Sequence, residues 1–137
     1  MKIFHTPIFI LFLLTFSSCT TSNQLLNKRE FRRSKDIATY SDMANELVDD
    51  YFILKSNNYF KFYKKLWMVV SIKMSAYPGR YTQKKDTLFL TWMDGDPKKI
   101  SPYLSNKCII DSISKELWFL DDLTGVKVKS MTLRANK

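Results

Sequence analysis

The sequence predicts an all-β fold: an antiparallel meander of about seven short strands, forming a small open barrel or a curled sheet. Three observations predict it. Short runs rich in aromatic and β-branched residues recur from Tyr51 onward, each bounded by Asn, Asp, Gly, Ser or Lys clusters. No helical pattern is long enough to cover a flat sheet, so the sheet must close its apolar face on itself. No crossover helices are available for a parallel βαβ fold.

The elements follow in order. Tyr51-Phe52-Ile53-Leu54-Lys55 and Tyr59-Phe60-Lys61-Phe62-Tyr63 flank Ser56-Asn57-Asn58, where Asn tolerates the positive φ of a tight hairpin. Residues 66–74 alternate as one strand, with Leu66, Met68, Val70, Ile72 and Met74 on one face. Pro78-Gly79 reads as a turn. Residues 80–83 and 87–92 then flank Lys84-Lys85-Asp86, with Leu88, Leu90 and Trp92 sharing a face. A long loop covers residues 94–107. Residues 108–113 and 117–120 form a hairpin around Ser114-Lys115-Glu116, and residues 126–133 close the sheet with a bulge near Ser130, where the apolar positions switch face. Residues 41–50 are ambiguous. Ser41 or Asp42 as cap and Glu46 in the first turns favour one or two turns of helix over a lead-in to a strand.

The chain opens differently. Lys2, the apolar run Ile8–Phe16 and the small pair Ser17-Ser18 read as a secretory signal over residues 1–18. That run is about half of the roughly 20 residues a membrane-spanning helix needs, so a retained span is the weaker reading. The next residue, Cys19, is one of two cysteines in the chain. Phe16-Ser17-Ser18-Cys19 resembles the bacterial lipobox, with Phe where Leu is commonest. The resemblance implies a diacylglyceryl group, carrying fatty chains such as palmitate, on the Cys19 sulfur. Two or more such chains anchor stably where one is marginal. Residues 19–36 are expected to be a lipidated tether whose basic run, Asn27 to Lys35, rests on anionic head groups or is simply solvated. Residues 37–137 are expected to form a single β domain.

Composition excludes more chemistry than it suggests. The one histidine, His5, lies in the signal segment, so the exported domain has no Ser-His-Asp, Cys-His or histidine-metal arrangement. Cys108 is the remaining thiol and reads as a small buried hydrophobe, without an intramolecular disulfide. Asp94-Gly95-Asp96 lacks the further oxygens of a calcium loop and reads as a turn. Asp49-Asp50 and Asp121-Asp122 are neighbours whose side chains leave an extended strand on opposite sides, and Asp111 reads as solvent-facing. No catalytic, cofactor or metal residues are expected. A net charge of +9 would suit nucleic acid, but export argues against it. The abundant aromatics serve as core filling, with a ligand- or partner-binding face as the functional alternative.

The run Gly79-Arg80-Tyr81-Thr82-Gln83-Lys84-Lys85-Asp86-Thr87-Leu88-Phe89-Leu90 resembles one found in small Bacteroidota-type lipoproteins with a lipocalin-like β-meander. Lys99-Ile100-Ser101-Pro102-Tyr103-Leu104-Ser105 and Leu117-Trp118-Phe119-Leu120-Asp121 follow in the same order. The resemblance spans most of residues 50–134 and implies architecture and location, but no activity. Acidic residues that direct surface export in some of these lineages are missing from Thr20-Thr21-Ser22-Asn23, which favours a periplasm-facing anchor. The expectation is a non-enzymatic binding module of the cell envelope, held to a membrane by lipid and engaging a protein or an apolar ligand. The alternative is an inhibitor or immunity protein that inserts residues 94–107 into an envelope hydrolase.

Overall fold

In a computed structural model, which describes residues 27–45 and 47–135, the strands close into a ring. The eight strands are β1 (Asp36–Asn45), β2 (Val48–Lys55), β3 (Tyr59–Trp67), β4 (Ile72–Lys84), β5 (Thr87–Trp92), β6 (Lys107–Asp111), β7 (Glu116–Leu120) and β8 (Lys127–Leu133). Each pairs antiparallel with the next, and β8 returns to β1 through Tyr40↔Leu133 and Ser41↔Thr132. That seam is short. It is extended by the Arg134 N–H donating to Thr39 O at 2.8 Å and by an ion pair between Lys129 and Asp42 at 2.5 Å.

The two-residue period of the strands sorts the side chains. Residues opposed in register share a face, so Phe52 with Phe62, Leu54 with Phe60, Tyr81 with Leu90, and Cys108 with Phe119 all point inward. An eight-stranded ring leaves an interior just wide enough for side chains. Here aromatic rings fill it: Phe60 stacks on Phe52 at 5.1 Å, meets Trp92 edge-on at 4.8 Å, and Phe119 meets Phe52 at 5.6 Å. Outward aromatics are covered by basic side chains: Lys65 lies 3.9 Å from the Trp67 ring, Lys127 4.9 Å from Trp118, and Arg80 5.0 Å from Tyr59. Part of the positive charge is thus spent on cation–π cover of the barrel's outer wall.

The expected turns at Asn57, Lys85 and Lys115 are present, with φ of 63°, 57° and 57°. The all-β antiparallel meander curls into a small barrel as expected, with eight strands and a closed seam. Other expectations are corrected. The helix expected over residues 41–50 is replaced by strand: residues 41–45 belong to β1 and 48–50 to β2, with Leu47 in a turn and Glu46 outside the described residues. The β alternation was masked because inward Asp42 is polar, and it is tolerated there through Lys129.

Residues 66–74 are not one strand. Met68 and Ser71 exchange backbone hydrogen bonds (2.9 and 3.3 Å), making Val69-Val70 the tip of a β3–β4 hairpin. Pro78-Gly79 is not a turn but lies inside β4. Pairing with β5 ends at Gly79↔Trp92, so Pro78 lacks an N–H where the ladder needs none, and its carbonyl still accepts from Met93 N at 3.1 Å. The bulge expected near Ser130 falls two residues earlier, where Phe119 pairs with Lys129 but Leu120 with Lys127.

The basic segment is also not a free linker in its second half. Lys28–Arg33 form a short helix, α1, capped by Asn27, whose side chain accepts from Glu30 N at 3.2 Å. Phe31 packs edge-on against Tyr59 at 5.6 Å, and the Tyr59 hydroxyl donates to Glu30 Oε2 at 3.0 Å. Lys35 and Ser56 bind each other's backbone beside it (Ser56 N to Lys35 O, 2.7 Å). α1 therefore docks at the barrel end formed by the turns at 56–58, 85–86 and 112–115. We call this the tether end. The far end carries the turn at 46–47, the β3–β4 hairpin, the 93–106 loop and the 121–126 turn.

Candidate functional site

At the far end the inward-facing rows change from aromatic to charged. The row Leu54, Phe52 is followed by Asp50, the row Phe60, Phe62 by Lys64, and Met131 by Lys129, with Val48 and Leu66 beyond at the rim; Asp42 completes the set on β1. These four charges line the mouth because strand alternation carries them there, not because of any local motif.

The β5–β6 loop folds down into this mouth. Leu104 and Ser105 are fully buried, Trp92 Nε1 donates to Ser105 O at 3.0 Å, and Asn106 N donates to Asp122 Oδ1 at 2.9 Å. Asp96 caps a 3-10 turn at Pro97–Lys99 through Lys98 N at 2.9 Å. Held this way, Tyr103 reaches inward: its ring meets Phe119 at 5.8 Å and its hydroxyl donates to Asp50 Oδ2. Burial, and then the Asp50 carboxylate, push the Tyr103 phenol well above its ordinary value, so it remains a donor. Asp50 is itself buried, and its second oxygen, Oδ1, has no hydrogen-bond partner. Lys64 stands opposite Asp50 in register and reaches Ser101 Oγ at 3.5 Å.

Beside this cluster a cleft of about 210 Å³ opens between β2, β3 and β4, lined by Val48, Lys64, Leu66, Lys73, Ser75 and Tyr77. Two ammonium groups, a hydroxyl and a phenol against two aliphatic walls make a surface for an anionic group with a short apolar neck. Ligand pockets for drug-sized molecules start at about 300 Å³, so this cleft takes a head group or one side chain, not a whole lipid.

The other singled-out residues do not assemble into chemistry. Asp49 faces outward, away from Asp50, and accepts from Trp67 Nε1 at 3.0 Å. Asp121 accepts from Thr124 N at 2.8 Å and Leu123 N at 3.1 Å, which hold its carboxyl below the usual range. Asp111 does the same for Ser114 and Ile113, with its carboxyl likewise lowered. Cys108 is buried and free, and burial pushes its thiol well up, which leaves little thiolate for nucleophilic work. Among the described residues no group of three or more acidic, Cys or His side chains is placed to hold a metal. Cys19 lies outside the described residues.

Sequence reasoning missed Lys64, Lys129, Asp42 and the inward role of Asp50. Their signal was available: each sits two residues beyond a core position in the same alternating row. No protein-family model, curated protein or solved structure matches this chain.

Proposed function

We propose that this chain is a non-enzymatic binding module of the bacterial cell envelope. On this reading it is exported by residues 1–18, held by lipid on Cys19 on the periplasm-facing side of a membrane, and active at the far end of its barrel. The kinship suggested by Gly79–Leu90 with small Bacteroidota-type lipoproteins agrees with such a role. The observation that carries the reading is the contrast between the two ends. The tether end is occupied by α1 and three short turns, whereas the far end presents the cleft between Lys64, Lys73, Ser75 and Tyr77.

The aromatic packing of the barrel interior favours recognition at the mouth over carriage of an apolar molecule inside. The inhibitor alternative draws less support. At the centre of the segment meant to insert, Ile100–Tyr103, Ser101 is buried and Tyr103 is tied inward to Asp50, and the following Leu104 and Ser105 are buried too.

The test is a titration of the mature full chain, in neutral detergent, with butyl phosphate and, separately, with butanol. Butyl phosphate is expected to shift the amide resonances of Lys64, Lys73, Ser75 and Tyr77, and Lys73→Ala to weaken it about threefold to tenfold, the worth of one exposed charge-assisted contact. Equal response to butanol, or shifts confined to the tether end, would refute the anion-binding cleft.

A further inference from the structure

Leu47, Leu123 and Val126 are exposed singly at the far end, but most of its exposed apolar residues are contiguous on one element. At the β3–β4 hairpin, Val69 and Val70 are 106% and 95% exposed, and Trp67, Met68, Ile72 and Met74 are between 41% and 61% exposed. Single exposed apolar residues need no explanation, but a contiguous set projecting from a charged protein does. The turn itself is unusual. Tight hairpins favour Asn, Asp or Gly, and the other short turns here use Asn57, Lys85 and Lys115 at positive φ. This one places two β-branched valines at its tip, neither at positive φ. Turn propensity has been given up for apolar surface.

We propose that the β3–β4 hairpin inserts its tip into the head-group region of an anionic bilayer, as a membrane contact separate from the lipid on Cys19. Three features select a lipid surface over a protein. The hairpin satisfies most of its own backbone: Met68 and Ser71 bond each other at 2.9 and 3.3 Å, and Trp67 N donates to Leu47 O at 2.9 Å. A segment that leaves water for a bilayer must carry its backbone partners with it. Trp67 sits two residues before the tip with its indole N–H held by Asp49, the placement of an interfacial aromatic. Lys65 and Lys73 flank the apolar tip, residues 64–73 contain no acidic residue, and Lys65 lies over the Trp67 ring at 3.9 Å. These cations can stay among lipid phosphates while their stems follow the apolar side chains down.

The contact is compatible with the proposed anchor. Eight residues separate Cys19 from α1, an extended reach of about 26–29 Å. β3 has nine residues, about 30 Å along the strand. A barrel lying on its side can therefore touch one bilayer through both attachments.

The test uses the mature full chain mixed with vesicles of phosphatidylglycerol and phosphatidylcholine carrying brominated acyl chains. Tryptophan emission is expected to shift to the blue and to be quenched by bromine, with the effect weaker in pure phosphatidylcholine and lost in Trp67→Phe. The double variant Val69→Asp, Val70→Asp should abolish quenching and keep the parent melting temperature, because both side chains are fully exposed; Val69→Leu with Val70→Leu should retain it. If the chain is acylated, the Asp variant stays on the vesicles with its tip in water; if it is not, the variant leaves them altogether. The two readings therefore fail separately. Bromine-insensitive Trp67 emission in the parent protein, in both vesicle types, overturns the proposal and assigns the tip to a protein partner.

Discussion

Gly79→Ala is expected to move the urea unfolding midpoint sharply downward, by about 3 kcal/mol or more of stability, with the m-value unchanged. Gly79 faces the barrel interior opposite Phe60 and Trp92. A Cβ there would lie 2.5 Å from the Thr91 carbonyl oxygen and would also enter the Phe60 ring. Neither neighbour can yield. Thr91 O is backbone in β5, and Phe60 is fully buried between Phe52 at 5.1 Å and Trp92 at 4.8 Å. Glycine is present for close approach of a ring to backbone, not for conformational freedom. Pairing Gly79→Ala with Phe60→Leu should therefore recover part of the loss, since it frees the ring side of the clash and leaves the carbonyl side. Full additivity of the two variants would show that the clash does not exist.

The second large effect is expected at the mouth. Tyr103→Phe should destabilise by about 2–4 kcal/mol, because it removes the donor to Asp50 Oδ2 from a buried carboxylate whose Oδ1 is already unpartnered. Asp50→Asn in the same background should cost less than it does alone, a coupling that thermal or urea unfolding of the four proteins measures. The pH dependence carries its own sign. The Tyr103 phenol is raised in the folded state, so its contribution is complete below about pH 10, the unfolded tyrosine value, and is lost as pH climbs from there toward the folded one. The stability gap between parent and Tyr103→Phe should stay constant from neutral pH to about 10 and close above it. The other tyrosines are common to both proteins and cancel. A gap already absent at neutral pH would mean that Tyr103 acts by packing on Phe119 alone, since phenylalanine keeps the ring.

The sequence made parts of this molecule plain, for physical reasons that can be named. Asn57 and Asn58 announced their turn because few residues accept a left-handed backbone, and Leu88, Leu90 and Trp92 announced their face because every second residue of β5 is buried. The β3–β4 hairpin hid itself. Its tip is as apolar as the strands it joins, so an unbroken alternation over 66–74 looked like one strand. The same property that defeated the reading is what marks the tip for a membrane. Pro78-Gly79 misled for the opposite reason: a turn-forming pair was used inside a strand, where a ring needed room and a ladder had ended. Closure of the barrel could not be read locally, because Tyr40 and Leu133 meet only after the whole meander is built. The charged mouth was legible in principle. Asp50, Lys64 and Lys129 keep the inward period of their strands, but charged side chains are usually solvent-exposed, so their residue type gave no sign of it.

Every part of this arrangement acquires its meaning from where the chain is fastened. If lipid is carried on Cys19, as we propose, the tether end faces the anchor, and the cleft and hairpin are left to meet a ligand or a bilayer. Intact mass measurement of the protein extracted from its native membrane tests this most directly. The account predicts a chain beginning at Cys19, heavier than its polypeptide by a diacylglyceryl group with or without an added amide-linked acyl chain, and no such species from a Cys19→Ala variant. A membrane-bound chain of unmodified polypeptide mass, whether it starts at Met1 or elsewhere, would contradict it.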